Sequence, residues 1–410
     1  MMALLLTVAL LLATDVYAYQ SVATLLRGKR SWGKTIRAFY WLLALSGIAV
    51  PLVFYFYGWE RLGSVWRNLM LSWMVIHYVP RIAVAGLMIM EDVYRLLRWL
   101  SEKVFPSKTN GPVSLSRKKF LSQLAVIGGG LLTVQFIYGM VRTAYDIRIV
   151  RQPLRLRGLP KAFQGLMVAQ ISDLHLGSFM SLKPVETMVE KLNELKPDVI
   201  FFTGDMVNNR SNEIFPYLSA LKQIQAPLGV YAVRGNHDFG DYYNWPDEQH
   251  RKHDELALID AYRQLGWRLL INEHALISRG DECIAVVGVD NWSVHKRFRR
   301  YGDLNKALKG TEQAAVRLLL SHDPTHWDAE ILSAALPIAV TCSGHTHGFQ
   351  FGVETAGVRW SPAQWLYPRW AGLYQQDDKY LYVNRGIGFV GYSGRVGIKP
   401  EITVFELLMV

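Results

Sequence analysis

Residues 166–175 read Leu-Met-Val-Ala-Gln-Ile-Ser-Asp-Leu-His. A short apolar run bounded by polar residues is typical of a buried strand, and here Asp173 and His175 follow directly where the run ends. The same arrangement of apolar run and polar block recurs at 199–203, 230–233, 316–320 and 338–342. In α/β sheets, ligands collect beyond the carboxyl ends of the strands, so these blocks predict one shared functional site.

The segments between these runs indicate the fold class. Residues 184–195 and 214–224 have helical periodicity, which predicts helices between the early strands. Further strands are predicted at 269–271, 283–289, 380–383 and 402–406. Alternation of strands and helices implies an α/β domain with helices covering the sheet.

The polar blocks contain ligand types that suit a metal. They are Asp173 and His175, Gly204-Asp205, Asn236-His237-Asp238, Ser321-His322-Asp323 and Gly344-His345-Thr346-His347. Each block alone is common in turns, but five of them in order, each at a strand end, predict a metal centre. Oxygen and imidazole ligands without a thiolate favour Zn, Mn or Fe over Cu(I) or an iron–sulfur cluster. The two cysteines, Cys283 and Cys342, lie in predicted strands, and we expect both to be buried.

This set of blocks resembles the calcineurin-like metallophosphoesterase superfamily. Gly-His-Thr-His-Gly-x-Gln at 344–350, Asn384-Arg385-Gly386 and 400–403 are similar to its YaeI/YkuE-like membrane-associated branch. The resemblance covers about residues 164–408 of the predicted domain 164–410, and it implies a four-layer α/β/β/α sandwich. It also implies a hydrolase that acts on phosphate ester bonds.

The resemblance also implies roles for individual residues. The first metal ion would take Asp173, His175, Asp205 and His347, and the second would take Asp205, Asn236, His322 and His345. Two ions about 3.5–4 Å apart can hold a hydroxide nucleophile and a phosphate oxygen together. His237 matches the catalytic histidine of the family, which can protonate the leaving oxygen or stabilise phosphate charge, and we expect Asp238 to orient it.

The N-terminal part of the chain predicts a membrane region. Residues 1–150 contain 17 Lys and Arg against 6 Asp and Glu, whereas the remainder has 28 of each. The apolar runs 1–26, 38–59, 69–90 and 120–140 are long enough to span a bilayer. We therefore expect four transmembrane helices within 1–142, a linker over 143–163, and no nucleic-acid partner.

Two features of these spans leave alternatives open. The first run could be a cleaved signal peptide, since Val16-Tyr17-Ala18 resembles a cleavage site, but it lacks a basic start and contains Asp15. Arg81, in the third run, either has a functional role or pairs within the bundle.

The basic residues of the loops predict the orientation. Five lie in the first loop, two in the second and seven in the third. Because positive loops stay in the cytoplasm, both termini and the catalytic domain are expected outside it. Arginines just after the fourth span, beginning with Arg142, oppose this assignment.

The leading hypothesis is a membrane-anchored, dimetal phosphoesterase that uses a metal-bound hydroxide on a phosphodiester or lipid-linked phosphoester. One alternative is a hydrolase of lipid A synthesis on the cytoplasmic face, similar to UDP-2,3-diacylglucosamine pyrophosphatases. Others are a non-catalytic membrane protein stabilised by metals, and a transporter. We expect Arg385, Trp365 and Trp370 to contact substrate, the two tryptophans from an aromatic segment that is either a lid at the bilayer interface or a packed loop.

Overall fold

The structure, a computed structural model, describes residues 1–29, 32–104, 115–334, 337–355 and 357–410. These residues form two compact units, Met1–Tyr138 and Gly139–Val410.

The first unit is helical. Its helices are α1 (Met2–Leu25), α2 (Trp32–Val53), α3 (Ser64–Val104) and α4 (Leu115–Val141), and α2 continues into a π turn, Phe54–Gly58, and a 3₁₀ turn, Trp59–Arg61. All four are long and apolar enough to cross a membrane, as predicted. The 41 residues of α3 rise about 60 Å, roughly twice a bilayer core, so this helix extends well beyond one span.

A polar cluster lies inside this bundle. Arg81 Nε lies 3.2 Å from Asp15 Oδ1, and His77 Nε2 lies 3.6 Å from the same oxygen. Asp15 is fully buried, so an unpaired carboxylate there would be costly. Of the two alternatives for Arg81, the structure therefore shows pairing within the bundle.

The second unit contains the remaining elements. Its strands are β1 (Arg148–Leu156), β2 (Leu166–Ile171), β3 (Val199–Phe202), β4 (Val230–Ala232), β5 (Arg268–Leu269), β6 (Glu273–Arg279), β7 (Glu282–Val289), β8 (Val316–Ser321), β9 (Val340–Ser343), β10 (Val353–Thr355), β11 (Val358–Trp360), β12 (Gly372–Gln376), β13 (Lys379–Val383) and β14 (Glu401–Met409). Its helices are α5 (Lys183–Glu194), α6 (Leu218–Leu221), α7 (Glu248–Leu265) and α8 (Leu304–Leu308).

Two six-stranded sheets form the centre of this unit. The first has the order β1-β14-β2-β3-β4-β5 and the second the order β12-β13-β9-β8-β7-β6. Neighbours β2, β3 and β4 are parallel, as are β7, β8, β9 and β13. Parallel neighbours end at the same edge, which is why the polar blocks after them meet.

Three apolar clusters define the layers. One fills the space between the sheets, where Val168 and Phe201 of the first face Val286 and Leu318 of the second. A second cluster packs α5, α6 and α7 on the outer face of the first sheet, and a third packs α8 on the second. The order helix, sheet, sheet, helix is the predicted four-layer sandwich.

Some local predictions were wrong. The predicted linker 143–163 contains β1, which pairs in parallel with β14 along its whole length. The predicted helix at 214–224 is instead a 3₁₀ turn, Phe215–Tyr217, followed by the single turn of α6. Cys342 is buried as expected, but Cys283 is only half-buried.

Candidate metal centre

The predicted ligands lie in loops at the carboxyl ends of the strands. The ligands follow the strands directly: Asp173 and His175 come after β2, Asp205 after β3, His322 after β8, and His345 and His347 after β9. Asn236 begins a 3₁₀ turn after β4. Asp173, His175, Asp205, His345 and His347 make up five of the ten non-glycine residues with positive φ in the described ranges. Such backbone conformations cost about 1–3 kcal/mol each and persist where the surroundings impose them, often at functional sites.

Four residues form the first cluster. His347 Nε2 lies 3.2 Å from Asp173 Oδ1 and 3.0 Å from His175 Nε2. His175 Nε2 also lies 3.4 Å from Asp205 Oδ2. All four side chains are buried. Their ligand atoms lie within 4.8 Å of one another, close enough to bind one ion.

The second cluster shares Asp205 with the first. His322 Nε2 lies 3.1 Å from Asp205 Oδ2 and 3.2 Å from His345 Nδ1. The same carboxylate oxygen therefore faces one imidazole of each cluster. Asn236 lies next to this group, and its Nδ2 donates to the Tyr242 hydroxyl at 2.8 Å. Its Oδ1 is buried and has no hydrogen-bond partner among the residues that the structure describes.

Hydrogen bonds orient the imidazoles of the second cluster. His322 Nδ1 donates to the carbonyl oxygen of Thr203 at 2.7 Å, so Nε2 is the atom that faces Asp205. His345 Nε2 lies 2.9 Å from the Tyr367 hydroxyl and 3.4 Å from Asp323 Oδ2, so Nδ1 is the atom turned inward. Histidine ligands usually have their second nitrogen held in this way.

The donor set fits divalent or transition metal ions. It consists of carboxylate, amide and imidazole groups, which suit Zn, Mn and Fe. The partnerless Oδ1 of Asn236 is a buried acceptor of the kind that an ion would satisfy. Glycine 235 keeps the cluster compact, because a Cβ there would collide with Asp205 Oδ1 and with the His322 ring.

For His322 and Asp205, burial and the neighbouring charges shift the pKa in opposite directions. Burial alone would lower the pKa of His322, but the Asp205 carboxylate raises it to about 10. Burial would raise the pKa of Asp205, yet the neighbouring histidines hold it well below the usual value. Burial lowers the pKa of His345 to about 4. A cation placed among these groups would stabilise the anionic carboxylates and the neutral imidazoles together.

His237 lies beside the clusters but is oriented by a different group from the one predicted. Its Nδ1 donates to the carbonyl oxygen of Asn208 at 2.6 Å, and its ring packs against Tyr242 at 4.5 Å between centroids. Asp238, predicted to orient His237, instead accepts backbone N–H groups at Asp205, Met206 and Gly235, each at 2.9 Å. Its buried carboxylate therefore holds the ligand loops in place.

A cavity of about 140 Å³ opens onto the clusters. Its lining includes His237, the ligands Asp205 and His345, and Arg297, an exposed arginine that the sequence analysis did not single out. Arg297 Nη2 lies 3.4 Å from the Tyr367 hydroxyl. No motif surrounds Arg297, so only its position in the fold identifies it.

The residues expected to contact substrate lie elsewhere. Arg385 is buried and its guanidinium pairs with Glu401 at 2.9 Å and with Glu354, so its charge is already compensated. Trp370 is 4% exposed and packs in an apolar cluster with Tyr367 and Ile398. These two predictions do not agree with the structure, because both side chains are occupied by structural contacts. Trp365 is 71% exposed.

Comparisons with known proteins agree with this architecture. Residues 1–144 match the family described as "Probable Calcineurin-like phosphoesterase, transmembrane domain", and residues 166–349 match "Calcineurin-like phosphoesterase". The chain belongs to the calcineurin-like metallophosphoesterases, and it is a membrane protein with a phosphoester hydrolase domain.

Individual relatives are similar to this chain over two thirds or more of its length. The chain is 30% identical over 327 residues to a "Transmembrane protein with metallophosphoesterase domain" of Bos taurus, covering 77% of this chain and 67% of that one. It is 29% identical over 307 residues to "Uncharacterized metallophosphoesterase YkuE" of Bacillus subtilis (strain 168), covering 72% and 98%. The Danio rerio transmembrane relative is 28% identical over 281 residues, and the match spans 67% of this chain and 60% of that protein.

Proposed function

We propose that this chain hydrolyses a phosphodiester or lipid-linked phosphoester at two metal ions that share Asp205. The observation that supports two ions is the position of Asp205 Oδ2, 3.4 Å from His175 Nε2 and 3.1 Å from His322 Nε2. Asp173 and His347 would complete one ligand set, and Asn236 and His345 the other. When bound, such ions lower the pKa of an attacking water and offset phosphate charge.

The residues of the chain supply the remaining chemistry. His237 is fixed through Nδ1, so Nε2 is the atom available to protonate a leaving oxygen. Tyr242 packs on one side of this ring. Arg297 at the cavity wall supplies a guanidinium suited to a phosphate oxygen. Asp238 acts through the backbone of the ligand loops.

Apolar side chains at the cavity favour an amphiphilic substrate. Phe298, Phe349 and Val390 line the cavity together with the polar groups. Phe349 is 46% exposed although it lies two residues after the ligand His347. The exposed Trp365 precedes Tyr367, which lines the cavity. Exposed aromatic and aliphatic groups beside a phosphate site suit a lipid phosphoester better than a small polar ester.

We place the catalytic domain outside the cytoplasm. The uneven distribution of basic residues among the loops supports this orientation. Reporter fusions after Arg142 test it, and a fusion active in the periplasm or outside the cell is the expected result. A fusion active only in the cytoplasm would contradict the orientation and favour the UDP-linked lipid substrate.

Metal-dependent hydrolysis of bis-p-nitrophenyl phosphate tests the proposed activity. The purified full chain should lose activity with a chelator and regain it with Mn, Zn or Fe. Asp205→Asn should lose the most activity among ligand variants, since it removes charge beside both ions. A fully metal-loaded protein that cleaves neither a diester nor a monoester would favour the non-catalytic alternative.

A further inference from the structure

A second cavity of the catalytic unit lies apart from the residues that line the metal centre. It is an apolar groove of about 350 Å³, within the size range of small-ligand sites. Three parts of the chain line it: the segment after α4, the loop that leads into α5 together with the start of α5, and Ile387. The lining residues used below are Ala144, Tyr145, Phe179, Met180, Lys183 and Thr187.

The groove lies next to the end of the fourth span. Ala144 is three residues after Val141, where α4 ends, and an extended chain reaches at most about 3.6 Å per residue. The groove therefore begins within about 11 Å of that helix end. The apolar span itself continues to Tyr145, so its last residues form one wall of the groove. This covalent link limits how far the groove can lie from the residue at which the span ends.

The groove is also close to the metal centre along two segments. The loop that bears the ligand His175 continues through Ser178 to Phe179, and Ser178 Oγ donates to the carbonyl oxygen of Phe389 at 2.5 Å. Phe179 packs on the Phe389 ring at 5.3 Å between centroids. Ile387 lines the groove, while Val390, three residues further, lines the metal cavity. A short wall thus separates the two cavities.

Basic side chains lie in or beside the lining of the groove. Lys183 lines it with its side chain 70% exposed and its Nζ 3.6 Å from Glu190 Oε1, and Arg142 is exposed just before the segment that lines it. Lys399 pairs with Asp146 at 2.7 Å beside the same segment. The three basic residues outnumber the two carboxylates that pair with them, and a net positive charge beside an apolar groove complements an anionic lipid. Met180, 54% exposed, adds an adaptable apolar contact.

We propose that this groove binds an acyl chain of the lipid whose phosphate enters the metal cavity. The inference rests on the proposed function, and it specifies the substrate as a membrane phospholipid rather than a soluble phosphoester. The lipid would lie across the wall formed by Ile387–Val390, with its phosphate on the side of Val390 and its acyl chain on the side of Ile387.

Photolabelling tests the groove without requiring turnover. The full chain is placed in phosphatidylcholine nanodiscs that contain phosphatidylglycerol with a diazirine in one acyl chain, and labelled peptides are mapped by mass spectrometry. We expect labels at 144–147 and 179–187. Thr187→Trp, which fills the groove, should reduce labelling there at least fivefold. Glu194→Trp places the same side chain at an exposed position on the same helix and should leave labelling unchanged.

Two controls separate the possible failures. The unfolding temperature of Thr187→Trp shows whether the variant folds. Labels confined to residues before Arg142, or labelling unchanged in a folded Thr187→Trp, would overturn the groove. Wild-type hydrolysis of bis-p-nitrophenyl phosphate would in that case leave the proposed function standing. A metal-loaded wild type without any hydrolysis would overturn the proposed function itself, and the inference with it.

Discussion

The carboxylate of Asp238 accepts the backbone N–H of Asp205 at 2.9 Å, so one buried acid fixes the position of another. Asp238 also accepts N–H groups at Met206 and Gly235. The residue after the candidate general acid therefore stabilises the ligand loops rather than the His237 ring.

Replacing Asp238 should affect metal binding as well as turnover. Asp238→Ala leaves several buried N–H groups without an acceptor, each at a cost of about 1–3 kcal/mol. We expect lower metal content, a lower unfolding temperature and almost no activity. Asp238→Asn keeps one oxygen acceptor and should be intermediate in all three. Normal metal content and stability in Asp238→Ala would contradict this role.

Replacing His237 should separate catalysis from metal binding. His237→Ala should keep its metals, because the imidazole belongs to neither ligand cluster, and lower turnover by roughly 10²–10⁴. Esters with good leaving groups need less protonation and should show a smaller loss. His250→Ala, on the exposed face of α7, is the matched control. Wild-type turnover on a poor leaving group would exclude the general-acid role.

Arg297 should contribute to phosphate binding. Hydrogen bonds to charged groups are worth about 1.5–3 kcal/mol, so Arg297→Ala should lower kcat/KM roughly 10–100-fold. Arg297→Lys should lose less kcat/KM than Arg297→Ala, since lysine keeps the charge without the planar guanidinium group. Arg299→Ala removes a nearby exposed arginine that pairs with Asp241 and should have little effect. Equal losses in both alanine variants would indicate a general charge effect instead.

Alanine substitutions of Trp365 and Trp370, the two tryptophans of the aromatic segment, should have different effects. Trp365→Ala should lower activity on a vesicle-embedded lipid far more than on a soluble diester, because Trp365 is exposed. Trp370→Ala removes a buried ring and should destabilise the fold by about 3–5 kcal/mol, with equal losses on both substrates. Kinetics on both substrates and thermal unfolding distinguish them. Equal losses for Trp365→Ala would mean that Trp365 is structural.

The metal-ligand residues could be predicted from the sequence, whereas the residues that orient them could not. Apolar runs and polar blocks carry a local signal, and parallel pairing then brings blocks such as Asp205 and His322 together. The residues that orient them have no such signal. Asn208 and Thr203 act through carbonyl oxygens, which any residue type could supply, so the sequence does not mark them.

The remaining errors have a common origin in long-range pairing. The segment of β1 was predicted as a linker, but it forms a strand whose partner, β14, lies about 250 residues later in the chain. Arg385 was predicted to contact substrate, but Glu354 and Glu401 reach it only in the folded sheet. Trp370 was expected at the protein surface, but the fold buries it.

Elemental analysis of the purified full chain tests the central claim most directly. Because Asp205 Oδ2 faces both clusters, wild type prepared with excess metal should retain two transition-metal ions per chain. Asp205→Asn should retain fewer and lose metal-dependent cleavage of bis-p-nitrophenyl phosphate, whereas His237→Ala should retain both ions. At most one ion per wild-type chain under these conditions would contradict the shared-carboxylate centre.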